Sequence, residues 1–250
     1  MGKNGVGKRT LISGIFDFSQ EEGAKAGVGK PITTEFNEYT SNKRKGLKLI
    51  DSKGIEMGDH DINKVFNLSK SLIEEKARKG DPIHCIWYCF KSSCLRFEDI
   101  EKKTLTLLIN QYIDNNLPII IVITQNYDEE ATKIMTDIIK KEFQFLEREI
   151  IIMPVIAKNK AFGNQNNKII LEKNGIEELI KVSFEKSKIA IFPALIKSIE
   201  EKINQIFAVI RENKKNELKN NLNEIVQKIS NEIKEDENIE IIFQNFQILF

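Results

Sequence analysis

Runs of consecutive apolar residues alternate along the first 190 residues with segments whose apolar residues recur at helical spacing. Such runs are typical of strands buried on both faces of a sheet, whereas the periodic segments are typical of amphipathic helices. Strands are predicted at residues 47–51, 83–90, 118–124 and 150–156, and helices at residues 9–16, 62–79, 97–114, 128–147 and 176–188. This alternation predicts an α/β fold with a doubly wound, mostly parallel sheet.

Two segments depart from this parallel pattern. Residues 34–40 alternate between apolar and polar positions as an edge strand does, and the polar turn at residues 41–46 predicts a hairpin with the strand at residues 47–51. Residues 158–168 contain four asparagines, which indicates a flexible connector.

The pattern changes from Pro193 onward, where isoleucine and leucine recur at helical spacing among many lysines and glutamates. We therefore expect a domain over residues 1–190 and a helical extension over residues 191–250, without a strand before residues 239–243. The extension is interpreted either as an amphipathic pair packed on the domain or as a helix that binds a partner or lipid. Its apolar final residues suggest that the chain continues or that they dock on a partner.

Composition narrows the range of partners. The 250 residues include 38 Lys and Arg against 37 Asp and Glu, so bulk charge gives no drive toward nucleic acid or an anionic membrane. The neutral balance favours a small ligand or a protein partner, and such a partner is either an unidentified protein or a second copy of the chain. No stretch approaches the length of a transmembrane helix and no apolar signal segment is visible, so the sequence predicts a cytoplasmic protein.

The cysteines lie close together in and after one predicted strand. Cys85 and Cys89 share a face of that strand at a separation too large for easy bridging, and zinc would need more ligands than His84 adds. We therefore expect buried reduced thiols, and a hydrogen-bonded core role for His84.

The strongest chemical motif is a phosphate-binding loop, G-x-x-x-x-G-K, at residues 2–8. Its glycines allow a tight curl in which backbone N–H groups point at phosphate oxygens, and the lysine reaches the terminal phosphate. The helix that follows adds the positive end of its dipole. We expect phosphate contacts from Gly2, Asn4, Gly5, Val6, Gly7, Lys8, Arg9 and Thr10.

Two features of this loop are unusual. Arg9 stands where a hydroxyl residue normally binds Mg²⁺, and a guanidinium has no lone pair to give, while Thr10 lies about 100° further around the helix. In addition, no buried strand leads into the loop, which would leave two strands unpaired around a gap in the sheet. We expect this polypeptide alone to be unstable, and residues upstream of Met1 to supply the strand.

A second motif, D-x-x-G, follows the strand at residues 47–51. Asp51, at the carboxyl end of the strand, is placed to hold the shell of Mg²⁺, and the Gly54 N–H to bind a γ-phosphate until hydrolysis removes it. Between the two motifs, Thr33 is the preferred hydroxyl ligand for the same metal, with Thr34 as the alternative.

Together these motifs resemble the Era-like branch of the translation-factor class of P-loop GTPases, in particular bacterial GTPases with a D-[ST]-K-G-[IL]-E signature. The resemblance covers about residues 1–190 and includes residues 2–11, 27–33, 51–56, 84–89, 96–101, 122–125 and 155–158. It implies a GTP- and GDP-binding protein that uses Mg²⁺ and acts as a nucleotide-dependent switch. A pseudo-GTPase scaffold that works through its helical extension, and an ATP-dependent P-loop enzyme, are the alternatives.

Base recognition departs from the family pattern [NT]-[KQ]-x-D. Thr124 and Gln125 match it, but the carboxylate of Asp128 comes one residue late. Either a bulge returns Asp128 to the guanine, or Asp128 is only the N-cap of the next helix. After the last strand, Ala157 and Lys158 resemble the loop that contacts the guanine oxygen and covers the ring.

The catalytic residue is unassigned. The position after D-x-x-G, where some GTPases carry a water-orienting glutamine, is Ile55, as in the Era-like branch, so the resemblance implies slow intrinsic hydrolysis. Arg9 adds an expectation of weakened Mg²⁺ coordination, unless Thr33, Asp51 and waters hold the metal while Arg9 contacts phosphate. Arg96 matches a family arginine, but a surface ion pair with Glu98 or Asp99 is the favoured interpretation.

Overall fold

The computed structural model describes residues 1–18, 30–31, 36–52, 61–112, 117–146, 150–164, 167–209, 215–235 and 246–249. Three residues of the predicted site, Thr33, Thr34 and Gly54, lie outside these ranges. In chain order the elements are α1 (Lys8–Phe16), β1 (Lys30–Pro31), β2 (Phe36–Thr40), β3 (Leu47–Ser52), α2 (Asp61–Arg78), β4 (Cys85–Lys91), α3 (Asp99–Tyr112), β5 (Ile119–Thr124), α4 (Glu129–Glu142), β6 (Ile151–Val155), β7 (Lys160–Phe162), β8 (Ile169–Leu171), α5 (Ile176–Val209), α6 (Lys215–Glu235) and β9 (Phe246–Leu249).

The main sheet has the strand order β1-β2-β3-β9-β4-β5-β6. Strands β3, β9, β4, β5 and β6 run parallel, and β1, β2 and β3 form an antiparallel edge. The predicted hairpin is confirmed, because Tyr39 of β2 pairs with Leu49 of β3. The prediction of a mostly parallel sheet is therefore also confirmed.

Two separate apolar cores lie on the two faces of this sheet. Trp87 and Cys89 of β4 pack with α1 and the start of α5, while the alternate residues Tyr88 and Phe90 pack with α2, α3 and α4. Successive side chains of a strand point to opposite faces, so a continuously apolar strand needs helices on both. The sheet is thus doubly wound, as the apolar runs predict.

The beginning of α5 is attached to β4 by hydrogen bonds. The indole N–H of Trp87 donates to Oγ of Ser183 at 2.8 Å, and the hydroxyl of Ser187 donates to the carbonyl of His84 at 2.8 Å. The helix then continues through Pro193 to Val209, so the expected domain boundary at residue 190 falls inside it. A single helix therefore spans the residues on both sides of the expected boundary, and the division into a domain and an extension stays a prediction.

Two expectations about local structure are wrong. The asparagine-rich segment at residues 158–168 is not simply a flexible connector, because it contains β7, which pairs antiparallel with the following strand β8, with Lys160 opposite Leu171. The gap expected beside the phosphate loop is also absent, because β9 lies between β3 and β4. The strand anticipated at residues 239–243 falls outside the described residues, and the strand observed in the extension is Phe246–Leu249.

The prediction of buried free thiols is confirmed for Cys85 and Cys89. Cys94 is also free, but it is exposed, because it lies beyond the end of β4. No cluster of metal-binding side chains is formed by the residues whose placement is described. None of the helices in the described ranges combines the length and apolarity that a membrane span requires.

Candidate functional site

The phosphate loop begins in direct contact with β4. The carbonyl of Met1 accepts a hydrogen bond from the N–H of Cys89 at 2.8 Å, and the Met1 amine donates to the carbonyl of Trp87 at 2.5 Å. Gly2 has φ 132°, and a Cβ on it would lie 2.5 Å from the Cys89 carbonyl oxygen. A glycine is therefore required here for close approach of the two backbones.

The loop ends at Gly7, the residue that precedes α1. Gly7 has φ 90°, a left-handed conformation, and its carbonyl accepts the hydrogen bond from the N–H of Leu11 that opens the helix. Val6 is buried, whereas Asn4, Gly5, Arg9 and Thr10 are exposed. The exposed residues of the loop and of the first turn of α1 are therefore accessible to an anion, which the dipole at the N-terminus of α1 would favour.

Lys8 folds back over this loop. Its Nζ donates to the carbonyls of Gly2 at 2.8 Å and Lys3 at 2.7 Å, and the residue is only 6% exposed. Burial lowers the pKa of its ammonium group. A cation held this way is poised to exchange carbonyl partners for phosphate oxygens, which make stronger, charge-assisted hydrogen bonds.

Asp51 lies near the end of β3, within electrostatic range of Lys8. It is 4% exposed, and its Oδ1 atom is buried without a hydrogen-bond partner among the described residues, as is the hydroxyl of Ser52. Burial raises the pKa of the Asp51 carboxyl, against the opposing influence of Lys8, the Met1 amine and Arg9. A buried, unpartnered carboxylate oxygen is costly unless a ligand satisfies it.

This oxygen fits a hard cation. Mg²⁺ is commonly held by one or two carboxylates, with waters and substrate phosphates supplying the other oxygens. Asp51 meets that requirement, and the exposed guanidinium of Arg9 supplies no oxygen. The expected hydroxyl ligand, Thr33, lies outside the described residues, so its part in the site stays a prediction.

The segment after β5 supports the phosphate loop from the side. The hydroxyl of Thr124 donates to the carbonyl of Val6 and lies 2.9 Å from the carbonyl oxygen of Phe90. Gln125 adopts φ 55°, and its Nε2 would lie 3.4 Å from a Cβ placed on Gly7. Thr124 and Gln125 thus lie beside the phosphate loop. The resemblance assigns these two residues to base recognition.

Asp128 is the N-cap of α4. Its Oδ1 accepts a hydrogen bond from the N–H of Ala131 at 3.1 Å, and the residue is exposed. This is one of the two arrangements expected from the sequence. The neighbouring Asn126 is held separately, because its Oδ1 accepts from the hydroxyl of Thr132 at 2.6 Å. A contact between Asp128 and a base stays a prediction.

The segment after β6 packs directly on α1. A Cβ on Gly14 would lie 2.2 Å from the carbonyl oxygen of Ala157, so the glycine in the middle of the helix allows this contact. Ala157 is buried and Lys158 is exposed. Since α1 starts at the phosphate loop, the segment with Ala157 and Lys158 is fixed relative to it.

Two groups of residues at the site were not anticipated. Lys3 of the phosphate loop forms ion pairs with Glu98 at 2.5 Å and with the buried Glu101 at 3.3 Å, which ties the loop to the start of α3. The acidic spacing at residues 98–101 was the available signal. Arg96 is largely exposed and lies 3.7 Å from Glu98, as the surface ion-pair interpretation expects.

The second group is an aromatic cluster that includes Tyr127, close to Thr124 and Gln125 in the sequence. The ammonium of Lys160 lies 4.5 Å from the ring centre of Tyr127 and 5.1 Å from that of Phe162, and the two rings are 5.7 Å apart. These distances are typical of cation–π and edge-to-face contacts. The β7–β8 pair thereby contacts the segment between β5 and α4.

Comparison with known proteins leaves the family open. No protein-family model matches the chain, and no curated protein matches it. Among solved structures, a crystal structure described as a probable GTP-binding protein engB aligns with a TM-score of 0.41 and 16% identity, covering 75% of this chain and 96% of that one. This score is too low for the match to support a functional conclusion.

Proposed function

We propose that the chain is a guanine-nucleotide-binding protein of the P-loop GTPase class. One observation carries this proposal: the buried Lys8 of a phosphate loop acts electrostatically on the buried carboxylate of Asp51, whose unpartnered oxygen lies at the end of a strand in the parallel sheet. Lys8 donates to two loop carbonyls, whereas Oδ1 of Asp51 has no hydrogen-bond partner among the described residues. A nucleotide phosphate would offer Lys8 stronger acceptors, and the divalent cation that accompanies it would satisfy the Asp51 oxygen.

The residues of the loop would bind the nucleotide phosphates. Backbone N–H groups of residues 2–8 and the N-terminus of α1 would surround the phosphate oxygens, and Lys8 would transfer its hydrogen bonds to them. Asp51 would hold Mg²⁺, whose role when bound is to neutralise the charge that develops between the phosphates. Thr33 and Gly54 would respond to the terminal phosphate, so that its loss relaxes their loops.

Guanine selection would fall to the segments that follow β5 and β6. Ala157 would give its N–H to the guanine oxygen and Lys158 would cover the ring, from a segment that α1 positions through Gly14. Thr124 and Gln125, which contact the phosphate loop at Val6 and near Gly7, would fix the position of the base relative to the phosphates. Hydrolysis should be slow, because Ile55 replaces a water-orienting glutamine and Arg9 replaces a metal-binding hydroxyl.

A second candidate is a pseudo-GTPase scaffold that retains the pocket. Two observations favour it: Arg9 is an exposed cation where a metal ligand is expected, and Asp128 uses a carboxylate oxygen to cap α4. Such a protein would bind nucleotide weakly or not at all, and would act through its helical extension. A cytoplasmic location and a protein partner or self-association stay predictions under either reading.

Titration with fluorescent GTP, GDP and ATP, with and without Mg²⁺, tests the proposal. We expect GTP and GDP to bind in preference to ATP, and Lys8→Ala to weaken GTP binding roughly 10–100-fold, the equivalent of charge-assisted hydrogen bonds. The matched control is Lys133→Ala, because Lys133 is an exposed lysine on α4. Thermal unfolding of both variants checks that the fold is intact. A folded protein that binds none of these nucleotides would refute the proposal.

A further inference from the structure

The central position of the sheet is occupied by the last described segment of the chain. Strand β9 runs parallel to both of its neighbours: Leu249 pairs with Ile50 of β3 on one side and with Ile86 of β4 on the other. Ile50 and Ile86 are fully buried. Without β9, the facing N–H and C=O groups of β3 and β4 would be buried without partners.

Met1 continues the same line along β4. Its amine donates to the carbonyl of Trp87 and its carbonyl accepts from the N–H of Cys89. In a parallel ladder this pair of bonds places Met1 opposite Tyr88. Leu249 lies opposite Ile86, two positions earlier on β4, so a continuous strand would place its second residue after Leu249 where Met1 lies.

We propose that β9 and Met1 are two parts of one split strand, and that β9 is a positioning element of the phosphate loop. The sequence Phe246-Gln247-Ile248-Leu249-Phe250 is the kind of apolar run that leads into such a loop, and the register leaves one position between Leu249 and Met1. The first part of the strand therefore comes from the far end of the sequence.

The split strand couples two distant parts of the chain. The phosphate loop leaves β4 at Gly2, and its course depends on the ladder that starts at Met1. Helices α5 and α6 precede β9 in the sequence. A movement of these helices that pulled β9 out of the sheet would therefore also remove the strand that leads into the phosphate loop. The expected effect of β9 on nucleotide binding rests on the proposed function, whereas the pairing of β9 with β3 and β4 does not.

Rearrangement of the chain provides the test. Three polypeptides are compared: residues 1–250, residues 1–245, and a chain in which residues 246–250 are moved directly ahead of Met1 and residue 245 is last. The first and third have the same composition and differ only in order. Hydrogen exchange at residues 47–51 and 85–88 reports the strand pairing, with residues 119–124 of β5 as the internal reference.

We expect at least tenfold faster exchange at residues 47–51 and 85–88 in the shortened chain, with a lower unfolding temperature. The rearranged chain should keep the protection and unfolding temperature of residues 1–250, or exceed them. In the chain of residues 1–250, Ile248→Pro removes a ladder N–H and should behave like the shortened chain, whereas Ile248→Val keeps that N–H and should not.

Equal protection in residues 1–245 and residues 1–250 would overturn the proposal, as would a rearranged chain that does not fold. If the shortened chain unfolds completely, the rearranged chain and the proline–valine pair still decide the matter. Protection that depends on protein concentration would assign the strand to a second copy and contradict pairing within one chain. If the strand results hold but no chain binds GTP, the proposed function fails and the split strand stands.

Discussion

A substitution in the middle of α1 tests how the segment that contains Ala157 and Lys158 is held in place. Gly14 has an ordinary helical conformation, so Gly14→Ala would normally stabilise the protein by about 1 kcal/mol through helix propensity. Here the new Cβ would lie 2.2 Å from the carbonyl oxygen of Ala157 and 3.0 Å from its carbon. Because real Cβ contacts stay above 3.0 Å, the segment at Ala157 must retreat by at least 3.0 − 2.2 = 0.8 Å.

Overpacking of this kind costs about 1–3 kcal/mol, which exceeds the propensity gain. We therefore expect a net destabilisation of roughly 0–2 kcal/mol, which corresponds to a fall of up to about 8 °C in unfolding temperature for a chain of this size. Displacing the Ala157 N–H should cost about one hydrogen bond to guanine, so that GTP binding weakens roughly 5–10-fold while ATP binding changes little.

The assays are thermal unfolding and competition between GTP and ATP, with Ser13→Ala as the control. Ser13 lies on the same helix, and its change to alanine raises helix propensity without adding an atom. A Gly14→Ala protein that is more stable and binds GTP unchanged would refute both the close contact and its role in base recognition. A stable protein with weaker binding of GTP and ATP alike would place the effect on the phosphate loop instead.

Two further predictions concern charge at the site. Arg9→Ser places a metal-binding hydroxyl at the start of α1, so the Mg²⁺ dependence of GTP binding and the rate of phosphate release should each rise about tenfold or more. Arg9→Lys supplies no such hydroxyl and should leave both low. Equal Mg²⁺ dependence in the unsubstituted protein and the two variants would contradict this prediction. In a polypeptide that begins at Met1, burial lowers the pKa of the α-amino group from 8.0 to about 5, so the unfolded chain binds more protons than the folded one between these values and stability falls as the pH falls. Between pH 8 and pH 6.5 the free energy of unfolding, measured with urea, should fall by about 2 kcal/mol because of this group. At lower pH His84 should add a fall of the same sign, because burial lowers its pKa to about 4. The rearranged chain, in which the Met1 nitrogen is an amide, should lack the first loss, and an identical slope in both chains would refute the assignment.

Much of the fold follows from local sequence. Apolar runs such as residues 118–124 have few alternatives to a doubly buried strand, and the observed strand Ile119–Thr124 agrees with that prediction. The glycine spacing of residues 2–8 similarly indicates the phosphate loop, because positive φ at Gly2, Gly5 and Gly7 is a property of single residues. The choice between bulge and cap for Asp128 was left open by the sequence, since both use the same residues.

Other features of the site depend on contacts between distant segments. The unpartnered oxygen of Asp51 is a result of burial, which depends on everything packed around β3, and the meeting of Gly14 with Ala157 joins residues far apart in the chain. Neither follows from hydrophobic periodicity, which describes one element at a time.

The central strand shows this division most clearly. By itself the sequence determined that a strand should lead into the phosphate loop, and that none precedes Gly2 in residues 1–250. Only the tertiary structure decided that Phe246–Leu249 occupies that position, between β3 and β4 and in line with Met1. The physical reason is that strand pairing satisfies backbone groups by position in space, so a strand from either end of a chain can complete the same ladder.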